Sequence, residues 1–200
     1  MIIGPIIVLA LHVLVPLLFI VALWRGDYNS KLSWLASVLG YGAYIIYLFL
    51  FGAGWGWVSY YIRVAVLVAF LCVVYVSFRR TFRAGVPRWR RPGSLGGWAS
   101  LSVKALLAVL FAWSTVVAAQ GFGYGELRAA QLSFPLGEGI WHVAHGGDSL
   151  ALNYHNPDRA QRFALDIVKL NAAGTRLRGV PFRSGKVRGL RKRDPEPMRG

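Results

Sequence analysis

Three of the four histidines, His142, His145 and His155, fall within fourteen residues, and Asp166 follows shortly after the last of them. Imidazole nitrogen and carboxylate oxygen are the atoms that ligate metals and carry protons near neutral pH. The spacing is not that of a helical zinc motif. His142 and His145 are three apart, whereas H-E-x-x-H needs two histidines four apart with a glutamate between them. On a strand, residues three apart face opposite ways. His142 and His145 read as ordinary polar residues. Asp166 stands in an apolar run, Ala164-Leu165-Asp166-Ile167-Val168. A carboxylate buried there unpaired is costly. A metal ion, the Arg162 guanidinium or a solvent-facing position would each offset that cost. Asn153 reads as a residue that satisfies backbone groups.

The elements that must position these side chains are short strands. Gly137-Glu138-Gly139, Gly146-Gly147-Asp148 and Asn156-Pro157-Asp158 are turn signals. Between them the pattern predicts strands at Ile140–Ala144, Leu150–Tyr154 and Phe163–Leu170, the last with Phe163, Leu165 and Ile167 on one face. Gly121 to Gly125 reads as a linker. Residues 122–175 therefore read as a small antiparallel β segment.

Phe134-Pro135-Leu136, Trp141, Gly146-Gly147, Asn153-x-His155 and Gln161-Arg-Phe-Ala-Leu-Asp166, in that order, resemble the start of the lysostaphin/LytM-type zinc metallopeptidase domain. That family cuts peptide bonds of bacterial peptidoglycan. The resemblance runs from Leu132 to Asn171. It implies a compact antiparallel β domain, one zinc ion as cofactor and wall peptides as partners. It also implies ligands from an H-x-x-x-D motif and a later H-x-H. Asp166 falls where the motif has its aspartate. Arg162 stands where the histidine belongs, and a guanidinium cannot ligate a metal. His155 is the nearest imidazole to replace it, so His155 and Asp166 are the implied zinc ligands. Zinc accepts such donors and keeps one position for water, whose pKa it lowers while polarising the scissile carbonyl. No histidine follows His155, so the H-x-H half is missing. The expectation is a truncated or frame-shifted member that does not hydrolyse by itself.

Residues 1–121 read as a membrane region. The chain is 56% hydrophobic with a formal net charge of +15. Uncharged or nearly uncharged runs at Met1–Trp24, Trp34–Gly52, Val58–Phe78 and Leu101–Gln120 each suit a helix of about 20 residues through a bilayer. Pro5 and Pro16 are expected to kink the first. Arg63 lies close enough to an end of the third to snorkel. Arg25 and Lys31 flank the first loop, and six arginines from Arg79 to Arg91 crowd the third. The positive-inside rule puts both loops in the cytoplasm. Both chain ends are then extracytoplasmic, in a bacterial inner membrane if the resemblance holds. Cytoplasmic arginines account for the basic charge, so a nucleic-acid partner is not expected. His12, in the first span, reads as a helix-packing hydrogen bonder rather than a relay. Cys72, the single cysteine, leaves no intramolecular disulfide. No paired-charge pathway marks a transporter. Residues 176–200, rich in Arg, Gly and Pro, read as a disordered basic tail.

The fold class is thus four transmembrane helices, a short incomplete antiparallel β domain and a disordered tail. The function expected is that of a membrane-anchored zinc-metallopeptidase-like wall protein. The alternative is a non-enzymatic membrane protein whose outer segment binds wall material or a partner.

Overall fold

The computed structural model describes residues 3–122 and 136–176. The linker beyond Phe122, the Leu132–Pro135 start of the resemblance and the tail from residue 177 lie outside them. Four helices are long and apolar enough to cross a bilayer: α1 (Ile3–Arg25), α2 (Lys31–Phe51), α4 (Ile62–Arg83) and α5 (Leu95–Gln120). The chain is a multi-pass membrane protein. A single turn, α3 (Trp55–Val58), lies between α2 and α4.

The helix ends are set by local chemistry that hydropathy does not register. Ser30 caps α2, its side chain accepting from the Ser33 N–H at 3.2 Å, and Ser94 does the same for Gly97 at 3.2 Å. These hydroxyls satisfy orphan donors, so α5 begins at Leu95, ahead of the expected Leu101. The extended backbone of Ser59 separates α3 from α4, so the third span begins at Ile62 and not at Val58. In α1, Pro16 has no N–H, and its ring would collide with the His12 carbonyl four residues back. The helix accommodates it by widening into a π-turn over Ala10–Leu14.

α2 is central and packs on the other three spans. Leu23, Ile45, Leu48, Trp55 and Phe70 form the buried centre. An unsatisfied polar group costs several kcal/mol in lipid. The Trp34 indole N–H therefore donates to Ser77 Oγ at 3.0 Å, and the Tyr44 hydroxyl to the Leu11 carbonyl at 2.7 Å. Gly40 lets α2 and α5 meet at backbone distance, since a Cβ there would lie 2.6 Å from the Lys104 carbonyl oxygen. Leu106, Val109 and Trp113 of α5 stay exposed, as lipid-facing residues do.

Beyond the spans, β1 (Ile140–His145) pairs antiparallel with β2 (Asp166–Leu170). The expected second strand at Leu150–Tyr154 is not one. Those residues lie in successive turns, with Asn153 N–H on the Ser149 carbonyl at 2.8 Å, Asn156 on Asn153 at 3.0 Å and Asp158 on His155 at 2.9 Å. Asn and Asp side chains with Pro157 favour such turns over a ladder. A further turn, Ala164 N–H to the Gln161 carbonyl at 2.8 Å, keeps Phe163–Leu165 out of β2, which starts at Asp166.

The sheet is fixed to the helix ends by hydrogen bonds. Tyr60 N–H donates to the Gly174 carbonyl at 2.9 Å, Arg176 N–H to Gly56 at 2.7 Å and Asp148 N–H to Gly121 at 2.9 Å. The Ser59 hydroxyl donates to the Ala173 carbonyl at 2.7 Å.

Candidate functional site

Asp166 opens β2 and lies directly across from His145 at the end of β1. A bulge between Val143 and His145 makes that pairing, because without the extra residue Ala144 would face Asp166. The shifted register pairs His142 with Val168 and His145 with Asp166. Both imidazoles therefore stand on the Asp166 side of the sheet, correcting the expectation that they face opposite ways.

Two imidazoles flank the carboxylate. His145 Nδ1 lies 3.4 Å from Asp166 Oδ2, and His155 Nε2 lies 3.4 Å from Oδ1. Tyr154 sits between the rings, 3.9 Å from the His155 centroid and edge-on to His145 at 4.8 Å. Its hydroxyl pKa is raised, first by hydrogen bonding to Asp166, then by desolvation and by that carboxylate's charge. The implied ligands His155 and Asp166 are thus brought together, and His145 joins them. Sequence reasoning left His145 aside because a bulge has no reliable signature in a single sequence.

Of the three ways to offset the Asp166 charge, Arg162 is not the one used. Its Nε and Nη2 donate to the two oxygens of Asp148 at 2.6 and 3.0 Å. That pairing, foremost among its causes, holds the Asp148 carboxyl below its usual range. Asp166 has its side chain 38% exposed and shares its charge with solvent and the imidazoles.

Asn153 holds the loop that carries His155. It is fully buried. Its Nδ2 lies 3.3, 2.9 and 3.1 Å from the carbonyls of Gly147, Arg162 and Ala164, and its Oδ1 accepts the His155 N–H at 3.1 Å. It satisfies backbone groups, as expected. His142 packs against Tyr60, ring centroids 5.3 Å apart, with its Nε2 buried and without a hydrogen-bond partner among the described residues. Burial first, then the charge of Arg63 and of His145, push its pKa down.

Two atoms each about 2.0–2.1 Å from one tetrahedral zinc lie about 3.4 Å apart. Each imidazole–carboxylate separation matches that edge and exceeds an ordinary N–H···O hydrogen bond. Yet no group of three His, Cys, Asp or Glu among the described residues has the geometry to hold a metal ion. The cluster offers paired donors without a common centre, so these residues do not by themselves fit a resident zinc. What the arrangement can do is present an accessible carboxylate, buttressed by two imidazoles and a phenol, to a cationic or hydrogen-bonding group.

No family model, curated protein or solved structure matches this chain.

Proposed function

We propose that this chain is a membrane-anchored, peptidase-like protein whose outer segment engages bacterial cell-wall peptides without cutting them. The observation that supports it is the Asp166 cluster. His155 and Asp166, the ligands the resemblance implies, lie 3.4 Å apart with His145 also beside Asp166, yet no group of three among the described residues has the geometry to hold a metal ion. A carboxylate exposed on a small sheet suits the ammonium groups of wall peptides. The four spans provide the anchor.

The orientation belongs to the same reading. Arg79, Arg80 and Arg83 end α4, and Arg88, Arg90 and Arg91 follow it, so this loop is cytoplasmic and the β segment is extracytoplasmic in the inner membrane. In whole cells, a thiol reagent that does not cross membranes should label Glu138→Cys and spare Arg88→Cys in a Cys72→Ser background. The reverse pattern would overturn the topology.

The functional test uses the full chain in nanodiscs with soluble wall peptides, with and without added zinc. Binding that falls at least fivefold in Asp166→Asn, with no new peptide termini by mass spectrometry, is the expected result. Absence of binding would overturn the wall reading. Zinc-dependent cleavage abolished by Asp166→Ala would overturn the non-hydrolytic one. A second reading is a zinc centre on His155 and Asp166 completed by a donor outside the described residues. The 3.4 Å separations favour it, and stoichiometric zinc retained through dialysis would establish it.

A further inference from the structure

Where the outer segment meets the bundle there is a pocket of about 370 Å³. Val8 and His12 of α1, Leu48 of α2, Gly54, and His145 and Leu152 of the outer segment line it. That volume falls within the roughly 300–1,000 Å³ of small-molecule sites.

His12 is the feature that calls for an explanation. It is only 9% exposed. Neither ring nitrogen has a hydrogen-bond partner among the described residues. The Val8 carbonyl, one turn back, does not meet hydrogen-bond geometry with the ring. The expected packing hydrogen bond is therefore not made. The ring is nevertheless held firmly. It lies edge-on to Trp55 at 5.1 Å, and a Cβ on Gly54 would come within 2.8 Å of its Cε1. It also sits in the π-turn, a helix irregularity that occurs often at functional sites. A buried polar group left unpaired costs about 1–3 kcal/mol, so an imidazole fixed in this way at a pocket wall is arranged for something that enters the pocket.

We propose that this pocket binds a membrane-borne amphiphile with an uncharged, hydrogen-bonding head. The head meets His12, and the chain passes along α1 and α2 into the bilayer. Among the described residues no Arg, Lys, Asp or Glu lines the pocket. A charged head would lose its hydration there without a counter-charge. The wall formed by Val8, Leu48 and Phe51 is apolar and belongs to the membrane spans. The pocket shares His145 with the Asp166 cluster, but His12, the residue the proposal turns on, lies outside it, so the site does not rest on the wall-peptide or zinc readings.

The test uses the full chain in nanodiscs of phosphatidylcholine and phosphatidylglycerol, with a monoacylglycerol bearing a diazirine in its acyl chain. After irradiation, adducts are mapped by mass spectrometry. Adducts should concentrate on peptides containing Val8–His12 and Leu48–Gly54. They should fall at least fivefold with excess unlabelled monoacylglycerol, and at least fivefold in His12→Phe. The competition arm uses the unaltered protein and needs no variant to fold. Labelling spread according to lipid exposure, including the Leu106–Trp113 face of α5, and indifferent to competition would overturn the proposal. A diazirine alkyl phosphate of equal chain length that labels the pocket as strongly would overturn the uncharged head, and with it the proposal.

Discussion

Replacing Asn153 with alanine should free the His155 loop from the sheet that carries Asp166. The Asn153 side chain is fully buried, its amide nitrogen lies among three carbonyls, and its oxygen accepts the His155 N–H. An amide has two N–H donors, so the truncation removes two donated bonds and one accepted bond. At about 1 kcal/mol net for each, the loss is about 3 kcal/mol, or roughly 150-fold in the local opening equilibrium. The spans have no part in this opening, so a global melt would miss it. Hydrogen exchange of the full chain in nanodiscs, read by mass spectrometry, reports it directly. Peptides covering residues 146–165 should lose about two decades of protection, or all they have if the loop is less stable than that, while α2 and α4 stay unchanged. Asn153→Asp keeps the acceptor but sets a carboxylate against three carbonyl oxygens, so it should do no better than alanine. Exchange in Asn153→Ala within about threefold of the parent would refute the reasoning, because such a change is under about 1 kcal/mol.

Three further outcomes follow from the same geometry. The pKa of His142 is pushed below 6.5, so an unfolded or undocked imidazole takes a proton at higher pH than the docked one. Docking of the sheet should weaken as pH falls from about 6.5 toward the docked value, and His142→Phe should flatten that dependence, measured by exchange near about pH 7 and about pH 5.5. Asp148 is depressed chiefly by Arg162, so its stabilisation is complete above 3.8 and lost as pH falls through its folded value. In Arg162→Gln the Asp148 titration, followed by carboxyl NMR, should move up toward 3.8, while loop stability at neutral pH changes by less than the shift alone suggests, since the Arg162 side chain is half exposed. Ser77→Ala leaves the buried Trp34 indole N–H without its acceptor. The bundle should lose about 1–2 kcal/mol against a mild denaturant, whereas Ser77→Thr, which keeps a hydroxyl, should lose less.

The spans were legible because length and apolarity alone decide whether a helix can cross a bilayer. Their starts were not, because single hydroxyls at Ser30 and Ser94 and one extended residue at Ser59 fix them. Of the three expected strands, Ile140–Ala144 formed nearly as read, extended by one residue to His145. Leu150–Tyr154 reads as a strand between two turn signals, but Asn153 turns inward and binds the backbone of its own loop, which removes the segment from any ladder. His155 and Asp166, named from the resemblance, lie 3.4 Å apart. His145 was not singled out, because a one-residue bulge changes which side chain faces the partner strand. The π-turn is a similar case: Pro16 announces a disturbance in α1, but its form depends on how the preceding turn relaxes.

The hydrogen bonds at Gly56, Ser59, Tyr60 and Gly121 have a further consequence, for working distance. A module on a flexible tether of n residues explores roughly 5–6 Å × √n around its anchor. This sheet does not. Its standing height is fixed by the helix ends, so the Asp166 cluster serves only what comes against the membrane face. Targets held several nanometres away never enter its radius, and delivery of a target to the bilayer sets the pace of any encounter. Loosening the Ser59–Tyr60 corner would turn a fixed platform into a tethered one.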